Sequence, residues 1–152
     1  GGLQIVDAGS ATATCPSVSF DASLTITKSC SSSIEVLNSK LVVAVNVAGT
    51  VCNVPPASGP AFPEAIGNVS VSDTPAFEDG NISLGTLAIG ECKNYTAKYY
   101  PNLLTLVGGN PSSNPGDQSF TDTAAATGNG AVTGAAKANT ASATCPLCPP
   151  HQ

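Results

Sequence analysis

Hydrophobic residues in this chain recur at every second position and nowhere with a sustained helical period, which restricts it to folds built from strands. In Leu24-Thr25-Ile26-Thr27 apolar and polar residues alternate, as in a half-buried strand. Leu41, Val43, Val45 and Val47 share one face, and Val42, Ala44, Asn46 and Ala48 share the other. Both faces of that run are nearly apolar, so it is expected to be a central strand. Val69 and Val71 alternate with Asn68, Ser70 and Ser72, and Tyr95, Ala97 and Tyr99 with Thr96 and Lys98. Tyr95 and Tyr99 are read as core residues, with Tyr100 pointing the other way. Towards the end, Val132, Ala136 and Ala138 are expected on one side and Thr133, Lys137 and Asn139 on the other. Thr123 to Ala126 is Ala-rich but too short for a helix.

Breakers separate these runs: Pro55-Pro56, Ser58-Gly59-Pro60, Asp79-Gly80, Gly108-Gly109-Asn110-Pro111, Asn114-Pro115-Gly116 and Gly128-Asn129-Gly130. Their Gly and Pro supply the backbone angles that turns require. Short strands punctuated at this spacing predict an antiparallel sandwich or barrel of at least seven strands with little helix. The organisation expected is an extended N-terminal segment over 1–20, a β-sandwich over 21–145 and a Pro-rich tail over 146–152. The tail, Cys-Pro-Leu-Cys-Pro-Pro-His-Gln from Cys145 onward, lacks the donors of a helix or central strand.

Polarity comes from Ser, Thr, Asn and Gly; charged residues make up only 10%, the five basic residues are all Lys, and net charge is −5. That balance excludes the basic footprint of a nucleic-acid binder and suits an anionic membrane surface poorly. No apolar run is long enough for a membrane span. The chain has no Met and begins Gly1-Gly2, which fits a processed N-terminus with its signal peptide removed, or a cleaved tag. Six cysteines, Cys15, Cys30, Cys52, Cys92, Cys145 and Cys148, read as disulfides in an oxidising compartment and so as a secreted, extracellular or cell-surface protein. Asn68-Val-Ser70, Asn81-Ile-Ser83 and Asn94-Tyr-Thr96 are candidate glycosylation sites.

Several stretches in sequence order resemble the "domain of unknown function eleven" group of Ig-like modules in bacterial and archaeal surface proteins. They are Leu24-Thr25-Ile26-Thr27-Lys28, Asn68-Val69-Ser70-Val71-Ser72-Asp73-Thr74-Pro75, Leu84-Gly85-Thr86-Leu87-Ala88-Ile89-Gly90-Glu91, Tyr95-Thr96-Ala97 and Ala138 to Thr144. The resemblance spans about residues 22 to 144 and implies an Ig-like antiparallel β-sandwich with a structural or adhesive role. It implies no catalytic residues. The chain departs from the group in its cysteines, its Pro-rich insert at 55–63 and its single copy.

Little in the sequence suggests catalysis, and no enzyme activity is expected. The single histidine, His151, stands after two prolines in the tail. Asp73, Asp79, Asp117 and Asp122 stand singly and read as turn caps or solvated charges. Glu78-Asp79 lacks the loop of a Ca²⁺ site. In Cys145-x-x-Cys148 the position after the second cysteine is Pro149, where haem attachment would need His. With His151 the pair gives at most three zinc ligands, and no helix start is predicted that would activate a redox thiol. No metal or cofactor is therefore expected, and the cysteines read as structural. Six cysteines allow fifteen connectivities. Ig-like alternation, which brings alternate strand ends together, suggests Cys15–Cys52 and Cys30–Cys92, leaving Cys145–Cys148 as a local loop.

The functional expectation is a pilin-like subunit of an extracellular filament, a homopolymer formed head-to-tail by strand addition between copies. The candidate donor is Gly1 to Thr14, with Leu3 and Ile5 as anchoring side chains. The alternative is a monomeric adhesion or carbohydrate-binding module whose ligand face is formed by the loops at 55–63 and 108–118. The absence of Trp disfavours a sugar platform.

Overall fold

A computed structural model describes residues 12–101 and 119–146. The chain forms an Ig-like antiparallel β-sandwich, and no helix occurs among the described residues. One sheet is organised around the strand β4 (Lys40–Val54), whose two edges carry three partners. Strands β2 (Ser23–Ile26) and β3 (Ser29–Leu37) follow each other along one edge, and β8 (Cys92–Tyr99) pairs with the other. The second sheet has the order β10 (Ala136–Pro146), β9 (Ser119–Gly130), β6 (Ile66–Thr74), β7 (Ile82–Leu87). A two-residue parallel pair, β1 (Phe20–Asp21) with β5 (Phe62–Pro63), lies outside both sheets.

Strands β2 and β3 keep one pairing frame along β4. Ile26 faces Val51 and Ser29 faces Ala48, so Thr27 and Lys28 stand opposite Thr50 and Gly49. Residues 23–54 therefore form one long hairpin. Its tight turn holds Asn38 and Ser39 at φ 51° and 62°, the left-handed backbone that a two-residue hairpin connection needs. One rung of the ladder is altered. The Thr50 N–H donates to the Thr27 hydroxyl (3.0 Å), and the Thr27 carbonyl accepts the Tyr95 hydroxyl (2.9 Å).

Strand alternation places Leu24, Ile26, Val45, Val47, Val51, Tyr95 and Tyr99 on the inner face of the first sheet. Ile66, Val69, Val71, Leu87, Ala124, Ala126 and Cys145 meet them from the second. The expected central strand is present, flanked on both edges, with Tyr95 and Tyr99 in the core. Two buried polar groups fasten the ends. Asn53 donates from Nδ2 to the carbonyls of Glu64, Leu87 and Ala88 (2.9, 3.3 and 3.2 Å). Glu64 accepts the Val132 and Thr133 N–H groups (2.8 and 3.0 Å) and the Thr133 hydroxyl (2.7 Å), which holds the β9–β10 turn.

The Ala-rich segment at 123–126, too short for a helix, is the middle of β9. The structure departs from the sequence expectations in two places. The strand read over Leu24–Thr27 has a continuation, β3, that runs past Lys28 through the serine-rich stretch to Leu37. In β10 the inward face is Ala141, Ala143 and Cys145, whereas Val132, Ala136 and Ala138 are exposed. Small residues give little amphipathic contrast, so the phase of that strand is set by pairing with β9.

Candidate functional site: an open sheet face and a buried ionic cluster

The inner face of the first sheet continues past the end of the sandwich. In the hairpin arm, Ile34 pairs with Val43 and Val36 with Leu41, in the same alternation that puts Cys30 and Val47 inside. Yet Ile34, Val36 and Leu41 are 58%, 71% and 77% exposed. No described residue of the second sheet extends far enough to bury this end of the hairpin. Open apolar faces of this kind are characteristic of interaction surfaces.

The four outer edges of the sandwich are defended unequally. At β7, the Lys93 ammonium from β8 donates to the Leu84 and Thr86 carbonyls (2.9 and 2.8 Å), which occupies acceptors that another strand would use. At β10, Asn139 Nδ2 donates to the Leu24 carbonyl of the opposite sheet (2.8 Å), and Lys137 pairs with Asp21 (2.6 Å). Strand β8 carries Lys93 and Lys98, and its Lys98 carbonyl accepts the Glu78 N–H (2.8 Å). Strand β3 has neither Lys nor Pro and pairs, among the described residues, with β4 alone. Of the four edges it is the one best able to accept a further strand.

The second feature is internal. Lys28 enters the sandwich at the altered rung, where Gly49 opposite has no side chain and the Tyr95 ring crosses the vacant space. Its ammonium lies 2.6 Å from Asp73 Oδ2 and 2.6 Å from Asp122 Oδ1, and all three side chains are 0% exposed. Asp73 stands near the end of β6 and Asp122 in β9. The other Asp73 oxygen accepts the Thr74 N–H (2.8 Å), and the other Asp122 oxygen accepts the Tyr99 hydroxyl. The Lys28–Asp122 contact is close but lacks hydrogen-bond geometry, so Asp122 Oδ1 has no hydrogen-bond partner.

Burial raises the Asp73 carboxyl above its ordinary value, against the opposing pull of Lys28. Burial, reinforced by the two aspartates, pushes Tyr95 up to about 12. Tyr99 is raised for the same reasons and by its hydrogen bond to Asp122, so both phenols stay protonated donors. The reading of Asp73 and Asp122 as turn caps or solvated charges is thus corrected. Each strand delivers its carboxylate inward to a lysine from the opposite sheet.

The cysteine pairing also differs from expectation. Cys30 bonds Cys145 across the two sheets, and Cys52 bonds Cys92, its register partner on the neighbouring strand. The suggested pairings assumed that Cys30 ends a strand, whereas it lies near the start of β3 and faces β10. Cys15 is exposed and free, and Cys148 lies outside the described residues. Cys30, Cys145 and Asp122 place their ligand atoms within 4.8 Å of one another. With the two sulfurs joined they do not form a thiolate set for a metal.

The sequon residues Asn68, Asn81 and Asn94 are all exposed. Leu3, Ile5, His151 and the loop at 108–118 lie outside the described residues, while residues 55–63 bring Phe62 against Phe20, ring centres 6.1 Å apart. No helix among the described residues is long and apolar enough to cross a membrane. In the sequence Lys28 stands out only as the last residue of the Leu24-Thr25-Ile26-Thr27-Lys28 stretch. A lysine at an inward position of an alternating strand is the one local signal that could have marked the cluster. Comparison with protein-family models, with curated proteins and with solved structures found no match to this chain.

Proposed function

We propose that this protein is a secreted structural subunit of an extracellular filament, assembled from copies of itself by strand addition. The observation that carries the reading is the arm of the β3–β4 hairpin, with its open apolar face and the undefended β3 edge beside it. An added strand gains main-chain hydrogen bonds along β3 and buries alternate side chains against Ile34, Val36 and Leu41. The donor in this reading is Gly1 to Thr14 of a neighbouring copy, with Leu3 and Ile5 as its anchors. Such a contact is head-to-tail and does not close, so it propagates.

Two disulfides fit an oxidising, extracellular setting. Exposed Asn68, Asn81 and Asn94 are accessible to glycosylation there. The resemblance to Ig-like surface modules points the same way. The test is electron microscopy of the purified chain beside a version lacking residues 1 to 14. Filaments that disappear on truncation, from a protein whose circular dichroism is unchanged, support strand donation. Monodisperse particles from both proteins would refute it.

A further inference from the structure

The buried cluster of Lys28, Asp73 and Asp122 has an unusual composition for a structural ion pair. A buried ion pair has to recover a desolvation penalty of several kcal/mol per ion, and a third charge without a counterion makes the balance worse. One lysine between two carboxylates leaves a net negative charge unless one carboxyl keeps a proton. In a site walled by Tyr95, Tyr99 and the Cys30–Cys145 disulfide, neutral forms are favoured over charged ones. With one carboxyl holding that proton, moving a second from the ammonium to the remaining carboxylate leaves a free amine beside two neutral carboxylic acids. That is the reactant state for amide formation, held at contact distance by two sheets.

We propose that Lys28 and Asp122 form an intramolecular isopeptide bond, with Asp73 as the catalytic acid–base. The assignment of roles rests on the hydrogen bonds. Asp122 Oδ2 accepts the Tyr99 hydroxyl, which polarises its carbonyl and stabilises the negative charge that develops there during attack. Asp122 Oδ1 touches the amine without a hydrogen bond and is the oxygen free to leave. Asp73 is fixed by the Thr74 N–H on one oxygen and holds Lys28 Nζ at 2.6 Å with the other, the position of a proton shuttle.

The step balances without any co-reactant. The Nζ lone pair attacks Cγ of Asp122, and the carbonyl electron pair moves onto Oδ2. Asp73, protonated in that state, gives its proton to the Oδ1 hydroxyl, which departs as water, and takes one proton from nitrogen in its place. The carbonyl re-forms at Oδ2, leaving a secondary amide and Asp73 in its starting protonation state. Proximity supplies most of the driving effect, since the reacting groups need no encounter. The product ties β2–β3 of one sheet to β9 of the other, two residues from the disulfide that ties β3 to β10. It does not depend on filament formation.

The experiment is mass spectrometry of the full chain, produced without glycosylation, reduced and denatured. The expected mass is lower than the sequence mass by one water. Trypsin cleaves after lysine, and an acylated Lys28 is not cut. The digest is therefore expected to contain residues 1–40 covalently joined to residues 99–137, which hold Asp122. An uncrosslinked wild-type chain overturns the proposal, with no variant needed. Residues 1–40 joined to 41–93 would overturn the assignment of Asp122, because that fragment holds Asp73.

Asp122→Asn offers a finer test, since an amide electrophile releases ammonia in place of water. Its mass is expected to fall short by one ammonia. Asp73→Asn and Asp122→Ala are expected at full sequence mass, and a crosslink persisting in Asp122→Ala would again refute the assignment.

Discussion

Gly49 makes the altered rung possible, and replacing it by alanine tests that geometry. A Cβ at this position would lie well inside van der Waals contact of the Thr27 carbonyl oxygen and 2.6 Å from both the ring edge and hydroxyl of Tyr95. Strand propensity alone favours the substitution by roughly 0.5–1 kcal/mol. Against it stand overpacking of about 1–3 kcal/mol and loss of the Tyr95–Thr27 hydrogen bond, about 1 kcal/mol. The steric terms win, and Gly49→Ala is expected to lose about 2 kcal/mol. With a urea dependence of about 2 kcal/mol per molar, the unfolding midpoint falls by about 1 M. Gly67 is the control, because a Cβ there meets only the Asn129 carbonyl at 3.9 Å. Gly67→Ala is expected within about 0.5 kcal/mol of the parent. Equal midpoints for the two variants would refute the account of why Gly49 is glycine.

Other perturbations read different parts of the structure. Tyr95→Phe keeps the ring and removes the bond to the Thr27 carbonyl, for a loss of about 1 kcal/mol in the same urea titration. The Thr133 hydroxyl and the Thr133 and Val132 N–H groups hold the Glu64 carboxyl below its ordinary value. Its contribution is therefore present above about pH 4.5 and lost as pH falls through the lowered folded value. Glu64→Gln is expected to flatten that acid limb in stability measured against pH. Cys30 and Cys145 are 115 residues apart, so opening their disulfide alone costs up to about 5 kcal/mol in the chain-entropy estimate. A Lys28–Asp122 bond already closes most of that loop, which reduces the figure to about 3.5 kcal/mol. Comparing the loss for Cys30→Ser/Cys145→Ser in the parent and in Asp122→Ala reads the difference.

The strands were legible wherever alternation had contrast. Val69–Val71 and Tyr95–Tyr99 were placed on the correct faces because bulky apolar groups alternate with polar ones, and the Leu41–Ala48 run was placed centrally because both its faces are nearly apolar. Strand β3 was not, because Ser31, Ser32 and Ser33 carry no hydrophobic phase. It is a strand because β2 and the turn at Asn38-Ser39 align it with β4. That omission also misplaced Cys30 and so the disulfides. The buried cluster was illegible for another reason. Lys28, Asp73 and Asp122 are far apart in sequence, and a single aspartate has no local pattern that separates a turn cap from a core group. The open hairpin face resembles ordinary core in sequence, since Val36 and Leu41 gain meaning only once the second sheet is seen to stop short of them.

If subunits are linked end to end, tension along the chain passes through the junction where β2–β3 meet β9 and β10. A disulfide at Cys30–Cys145 and an amide at Lys28–Asp122 would bear that load covalently. The filament reading therefore gives the proposed crosslink a mechanical use, although each stands on its own test.

The most direct test of assembly alters the open face itself. Val36→Glu and Leu41→Glu together place two charges on side chains that are 71% and 77% exposed in the subunit. Electron microscopy of the double variant is expected to show no filaments, with an unfolding midpoint close to the parent's. Filaments persisting in the variant would contradict the assembly surface proposed for this protein. So would a large loss of subunit stability, which would mean that the chain covers this face with its own residues.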